Sequence, residues 1–189
     1  MTRPPVELVA CARDCHARGL DRRAVLRTCY GVEFPEEVFV LLDLDSDFDS
    51  HVLPWSLAKP DMTPAEIWLE AWAQVYARHP RLVPLDESGG EVLAYSLDEL
   101  ELGRPTVFAI HELPGGDFGP AERVGDSFLS LRHARAVAKL RHDQALWDSP
   151  YAGGYAIEHG DVVWQREQVE ALEELLRELE ARMVVARTV

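Results

Sequence analysis

The stretch from Leu82 to Leu131 constrains the fold more than any other part of the chain. It opens Leu82-Val83-Pro84-Leu85, breaks at Asp86-Glu87-Ser88-Gly89-Gly90 and resumes as Glu91-Val92-Leu93-Ala94-Tyr95-Ser96-Leu97. A polar spacer, Asp98 to Arg104, leads into Pro105-Thr106-Val107-Phe108-Ala109-Ile110-His111-Glu112, and a glycine-rich turn precedes Glu122-Arg123-Val124-Gly125. Short runs rich in Val, Phe and Tyr, bounded by Gly, Pro and Asp, read as consecutive strands joined by turns. In this succession they predict a mainly antiparallel sheet, with Leu93, Tyr95, Val107 and Phe108 among its core side chains. Asp126 or Ser127 then caps a helix through the 130s that presents Phe128, Leu129, Ala136, Val137 and Leu140.

Helical signals precede the sheet. Pro4 and Pro5 suit a first turn, Leu8, Val9, Ala12 and Cys15 share a face, and Gly19 ends the run. Asp21 caps a second helix with Val25, Leu26 and Cys29 inward and Gly31 as its stop. Pro35 with Glu36 and Glu37 opens a third, whose Val38, Leu41 and Leu42 pack. Asp45 to Asp61 reads as a long connection anchored by Trp55. Thr63-Pro64-Ala65-Glu66 then starts a helix with a wide apolar stripe of Ile67, Trp68, Ala71, Trp72, Val75 and Tyr76.

Beyond the sheet, Asp148 to Gly154 is rich in turn residues. Tyr155-Ala156-Ile157 and Val162-Val163-Trp164 predict a hairpin around His159-Gly160-Asp161. Gln165 to Met183 closes the chain as an amphipathic helix, with Val169, Leu172, Leu176, Leu179 and Met183 at heptad spacing and Leu175 widening the stripe. That stripe docks on its own domain or forms a homodimer seam.

Charge narrows the partners. The net charge is −14, and residues 28–122 alone hold nineteen acids against four basic groups. Phosphate is repelled by such a surface, so nucleic-acid binding is not expected, whereas a basic protein is attracted. The alternative is a solvated acidic surface that keeps the protein soluble. The longest apolar run, Val38 to Leu42, is far too short to span a bilayer, and Met1 to Pro5 has no signal-peptide core behind it. Cys11, Cys15 and Cys29, an odd number crowded near one end, suggest no disulfide framework. A reducing cytoplasm is the expected location.

Several motifs invite a chemical reading. Val40-Leu41-Leu42-Asp43-Leu44-Asp45-Ser46 is similar to the first motif of haloacid-dehalogenase-type phosphatases, and Val124-Gly125-Asp126-Ser127 imitates their last. That chemistry also needs a Lys between them, yet beyond Lys59 none occurs before Lys139, and the acid expected four positions after Asp126 is Ser130. Asp43, Asp45, Asp47 and Asp49 alternate as in a calcium loop. The Gly and Glu such a loop requires are Phe48 and Pro54 counted from Asp43, or Ser50 and Ser56 counted from Asp45. Cys11, Cys15, His16 and Cys29 lack Cys-x₂-Cys knuckles, so buried reduced thiols are expected rather than zinc.

One resemblance covers roughly residues 20 to 132. Tyr30-Gly31-Val32-Glu33-Phe34-Pro35-Glu36-Glu37-Val38, Leu82 to Leu85, Gly89-Gly90, Thr106 to His111 and Asp126-Ser127-Phe128-Leu129-Ser130-Leu131 follow the order seen in the SUKH superfamily. That superfamily includes bacterial immunity proteins and a fungal cell-wall assembly regulator. The chain departs from the pattern in the long Asp43 to Thr63 connection and after about Arg141. The resemblance implies a non-catalytic module that occludes a toxin.

The expected fold is α+β: a mainly antiparallel sheet flanked by N-terminal helices over residues 1–145. A C-terminal extension, a hairpin plus an amphipathic helix over 146–189, packs on the same domain. The expected function is that of an immunity protein binding a basic, nuclease-type toxin domain. The expected partner-binding surface is Asp43, Asp45, Asp47, Asp49, Glu87, Glu91, Asp98, Glu99 and Glu101. No catalytic residue, metal or cofactor is assigned. A scaffold protein without a toxin, or a metal-dependent phosphohydrolase using Asp43 and Asp45, is the alternative.

Overall fold

The computed structural model describes residues 3–43, 53–59, 66–88, 90–148 and 159–188. In these, eight helices accompany a four-stranded antiparallel sheet, an α+β architecture. The chain divides into two compact units, Met1–Asp126 and Ser127–Val189. The helix after the sheet thus goes with the C-terminal helix, whereas the sequence suggested a division after residue 145.

The first unit begins with α1 (Pro5–Ala17), α2 (Arg22–Tyr30) and α3 (Glu36–Asp43). Asp21 caps α2 by accepting from the Ala24 amide at 2.9 Å. Gly31 ends it at a φ of 79°, a left-handed conformation that a side chain resists. α1 buries Leu8, Ala12 and Cys15, and α2 buries Val25, Leu26 and Cys29. α3 buries every residue from Glu37 to Leu42, so it is covered all round.

The connection expected over Asp45 to Asp61 contains a further helix, α4 (Leu53–Ala58). Pro54 sits in its first turn, where its missing N–H costs nothing. α4 docks on α1, and its Leu57 carbonyl meets His16 Nε2 at 2.8 Å. The side chain of Trp55, the expected anchor, lies outside the described residues. So do Thr63, Pro64 and the side chains of Ile67 and Trp68. α5 (Glu66–Arg78) buries Trp72 and Val75 on the predicted stripe, with Ala71 and Tyr76 half-buried.

The sheet runs β1 (Leu82–Ser88), β2 (Glu91–Ser96), β3 (Val107–Glu112), β4 (Phe118–Gly125), each paired with the next. Register places Tyr95 opposite Val83 and Val107, and Leu93 opposite Ala109, so these side chains share one face. On that face the Tyr95 hydroxyl donates to the buried Glu37 carboxylate of α3. Phe34 meets the Tyr95 ring edge-on at 6.5 Å and Tyr30 at 5.2 Å. Leu93, Tyr95 and Val107 are core residues as expected, but Phe108 is half-buried because it points to the other face. β4 also starts at Phe118, four residues before the expected Glu122.

The polar spacer after β2 is not plain loop. Ser96 accepts from the Glu99 amide and caps α6 (Leu97–Glu101), whose Leu97 and Leu100 are buried.

The second unit pairs α7 (Phe128–Trp147) with α8 (His159–Thr188). Ser127, accepting from Ser130, caps α7. The expected hairpin is overturned: Val162, Val163 and Trp164 are helical, and Tyr155 to Ile157 lie outside the described residues. Val162, Gln165, Val169, Leu172 and Leu175 are buried at three- and four-residue steps. Val162 thus begins a helical seam that continues into the later leucines, while Val163 is exposed. The buried line runs through Leu175, while Leu176 and Leu179 are half-buried and Met183 is 44% exposed. No helix among the described residues is long and apolar enough to cross a membrane.

Candidate functional site

A four-strand meander places its turns alternately at opposite ends of the sheet. The β1–β2 and β3–β4 turns lie at one end, and the α6 connection lies at the other. Glu91 to Ser96 spans roughly 17 Å at the rise of an extended strand. The expected acidic set from Glu87 to Glu101 is therefore split: Glu87 and Glu91 stand at the hairpin end, and Asp98, Glu99 and Glu101 at the α6 end.

At the α6 end the carboxylates have cations beside them. Arg81 reaches Asp98 at 2.8 Å and Glu101 at 2.5 Å, while Arg104 reaches Glu99 at 3.0 Å. Thr106 also donates to Glu99 at 3.2 Å. Glu101 first, and Asp98 with it, raise the Arg81 pKa above its ordinary value. These acids are committed to local ion pairs, which weakens the field they present to a partner.

The hairpin end differs. Register puts Glu91 opposite His111, with His111 Nε2 and Glu91 Oε1 3.8 Å apart. The Glu112 amide donates to the Gly90 carbonyl at 2.7 Å, which draws Glu112 against the β1–β2 turn. Its side chain lies 3.8 Å from where a Cβ would stand on Gly90 and 4.0 Å from one on Gly116, so it bridges the two turns. Both glycines hold positive φ, 80° and 83°. The Leu113 amide donates to the Asp117 carbonyl at 2.7 Å and closes the β3–β4 turn. Glu87, Glu112 and Asp117 are exposed and carry no ion pair with any described residue. Strand neighbours stand about 4.8 Å apart, so these carboxylates and Glu91 concentrate negative potential on one rim.

Glu112 and Asp117 were absent from the sequence-derived set. The signal for them was the meander itself, which returns β3 to the end where β1 turned. Asp43 stands at the last position of α3, bonded to Arg22 Nη1 at 3.0 Å. Asp45, Asp47 and Asp49 lie outside the described residues. Among the described residues, no group of three His, Cys, Asp or Glu side chains is placed to hold a metal ion.

The rim supplies carboxylate oxygens, the acceptors that Arg and Lys side chains bind best. Comparison of the chain with protein-family models, with curated proteins and with solved structures finds no match.

Proposed function

We propose that this chain is a non-catalytic binding module for a basic protein. Its resemblance to SUKH immunity proteins gives that partner a class, a nuclease-type toxin domain that the module neutralises by occlusion. One observation carries the reading: at the hairpin end, Glu87, Glu112 and Asp117 stand exposed with no ion pair to any described residue, whereas the acids around α6 are matched by Arg81 and Arg104. A solvated carboxylate rim steers a cationic surface toward it and accelerates encounter. The scaffold reading, without a toxin, shares the surface and differs only in the partner.

The test is the association rate of a toxin domain encoded beside this chain, measured against ionic strength. Replacing Glu87 and Glu112 by Gln and Asp117 by Asn should slow association by roughly tenfold at low salt and flatten its salt dependence. Neutralising Asp98 and Glu101 should do less, because they stand at the end of the sheet opposite the rim that the partner would contact. An on-rate indifferent to salt and to the rim would overturn the reading. A neighbourhood without a toxin domain would favour the scaffold.

The phosphohydrolase alternative has its own check. Asp43 ends a helix and is paired with Arg22, whereas the dehalogenase-type motif places its nucleophile after a strand. Asp43→Asn should leave any Mg²⁺-dependent phosphatase turnover of the purified protein unchanged.

A further inference from the structure

The three cysteines gather where α1 packs on α2. Cys11 and Cys15 are one helical turn apart on α1, and Cys29 faces them from α2. The Cys29 thiol lies 3.8 Å from the Leu8 carbonyl, on the turn of α1 that precedes Cys11. Cys15 and Cys29 are buried, while Cys11 is half-buried and open to small solutes. The Cys11 thiol lies 4.0 Å from the carbonyl of Thr28, the residue next to Cys29 on α2. Arg3 Nη1 donates to Cys11 Sγ at 2.9 Å and to the Thr28 carbonyl at 2.8 Å, with the Cys29 carbonyl at 3.4 Å. A guanidinium is thereby fixed where negative charge develops on an attacking sulfur, beside the residue that would resolve the product.

We propose that Cys11 and Cys29 form a hydroperoxide-responsive pair, Cys11 as the attacking sulfur and Cys29 as the resolving one. The Cys11 sulfur takes the terminal oxygen of the hydroperoxide. The O–O bond breaks, the alcohol or water leaves with its proton, and Cys11 becomes a sulfenic acid. The Cys29 sulfur then attacks the Cys11 sulfur. The S–O bond breaks, and the hydroxide departs as water with the Cys29 proton. Two thiols have lost two electrons, and the hydroperoxide has been reduced to alcohol and water. Cys15 is the poorer resolving partner for a geometric reason. Side chains four apart on a helix hold their Cβ atoms about 5–6 Å apart, and a disulfide needs about 3.8 Å. The product ties α1 to α2 covalently.

The experiment treats the reduced full chain with a small excess of hydrogen peroxide, quenches it with catalase, and alkylates the remaining thiols. The expected product is a monomer lighter by two hydrogens with one alkylated cysteine, Cys15, and a peptide map joining Cys11 to Cys29. Cys15→Ser should keep that link, and Arg3→Gln should form it roughly tenfold more slowly. Cys11→Ser, at a half-buried position, should form no internal link. The proposal is overturned by a Cys15–Cys29 link in that variant, by links only between molecules, or by Cys11 advancing to sulfinic acid while Cys29 still alkylates.

Discussion

At the scale of single residues, the first unit keeps several ionisable groups neutral by burying them. Burial pushes the Tyr30 hydroxyl well above its ordinary value, and the neighbouring Cys29 adds to this. Burial also raises the Cys15 and Cys29 thiols above their ordinary values, with Cys11 adding to both. Unfolding releases these groups, so the unfolded chain gives up its protons first as pH rises. Stability from this source is full below the unfolded values, about 8.5 for thiols and about 10 for the phenol. Above them it falls, by up to about 1.4 kcal/mol per pH unit for each group, until the folded values are reached. Urea unfolding under reductant should therefore show a plateau near neutrality and a steepening loss above about pH 9. A flat profile to about pH 11 would contradict it. The Tyr30 hydroxyl is buried with no hydrogen-bond partner among the described residues, against a cavity of about 20 Å³ lined by Arg3, Leu8, Trp72 and Tyr76. Tyr30→Phe should thus leave stability unchanged or raise it by up to about 1 kcal/mol, and make the alkaline loss shallower. A loss above about 1 kcal/mol would show that the hydroxyl does find a partner.

At the scale of elements, the legible parts were those where local chemistry and burial agree. Asp21 and Gly31 bound α2 in sequence and in structure, and the strands follow their runs of Val, Leu and Tyr. The failures have physical causes. Val162-Val163-Trp164 has strand-like composition, yet Val162 falls in step with Gln165, Val169 and Leu172, and that seam decides for helix. α6 was signalled by Ser96-Leu97-Asp98-Glu99, a cap followed three residues later by an acid, but it was hidden by the apparent polarity of the spacer. The rim was half legible: composition showed where acids concentrate along the chain, and only strand pairing shows which of them meet. The seam gives a prediction. Leu172→Ala should cost about 2–4 kcal/mol, since its side chain is buried, while Met183→Ala, 44% exposed, should cost under about 1 kcal/mol. Similar losses at both positions in chemical denaturation would mean that the heptad line through Met183 is covered, as a homodimer would do.

At the scale of the whole molecule, the two units carry unequal charge. Residues 1–126 hold twenty-three acids against eleven basic groups, and residues 127–189 hold ten against eight. The chain's negative charge is therefore concentrated in the first unit. The same unit has an open sheet, since β1 and β4 are its outermost strands, and an open edge is a template on which another chain can add a strand. Each edge strand contains a proline and departs from regular register: Pro84 beside the shift in β1, and Pro120 within the irregular span of β4 opposite Ile110 to Glu112. β4 also exposes Glu122 and Arg123. A ring without an N–H, a kinked ladder and two charges leave an incoming strand few bonds to make. For a cell that makes this protein in quantity, the consequence is colloidal: concentrated protein should stay dispersed, because its sheet cannot be extended into a fibril. Pro120→Val should leave the fold intact but bring concentration-dependent light scattering and thioflavin binding on prolonged warming, where the parent protein stays clear.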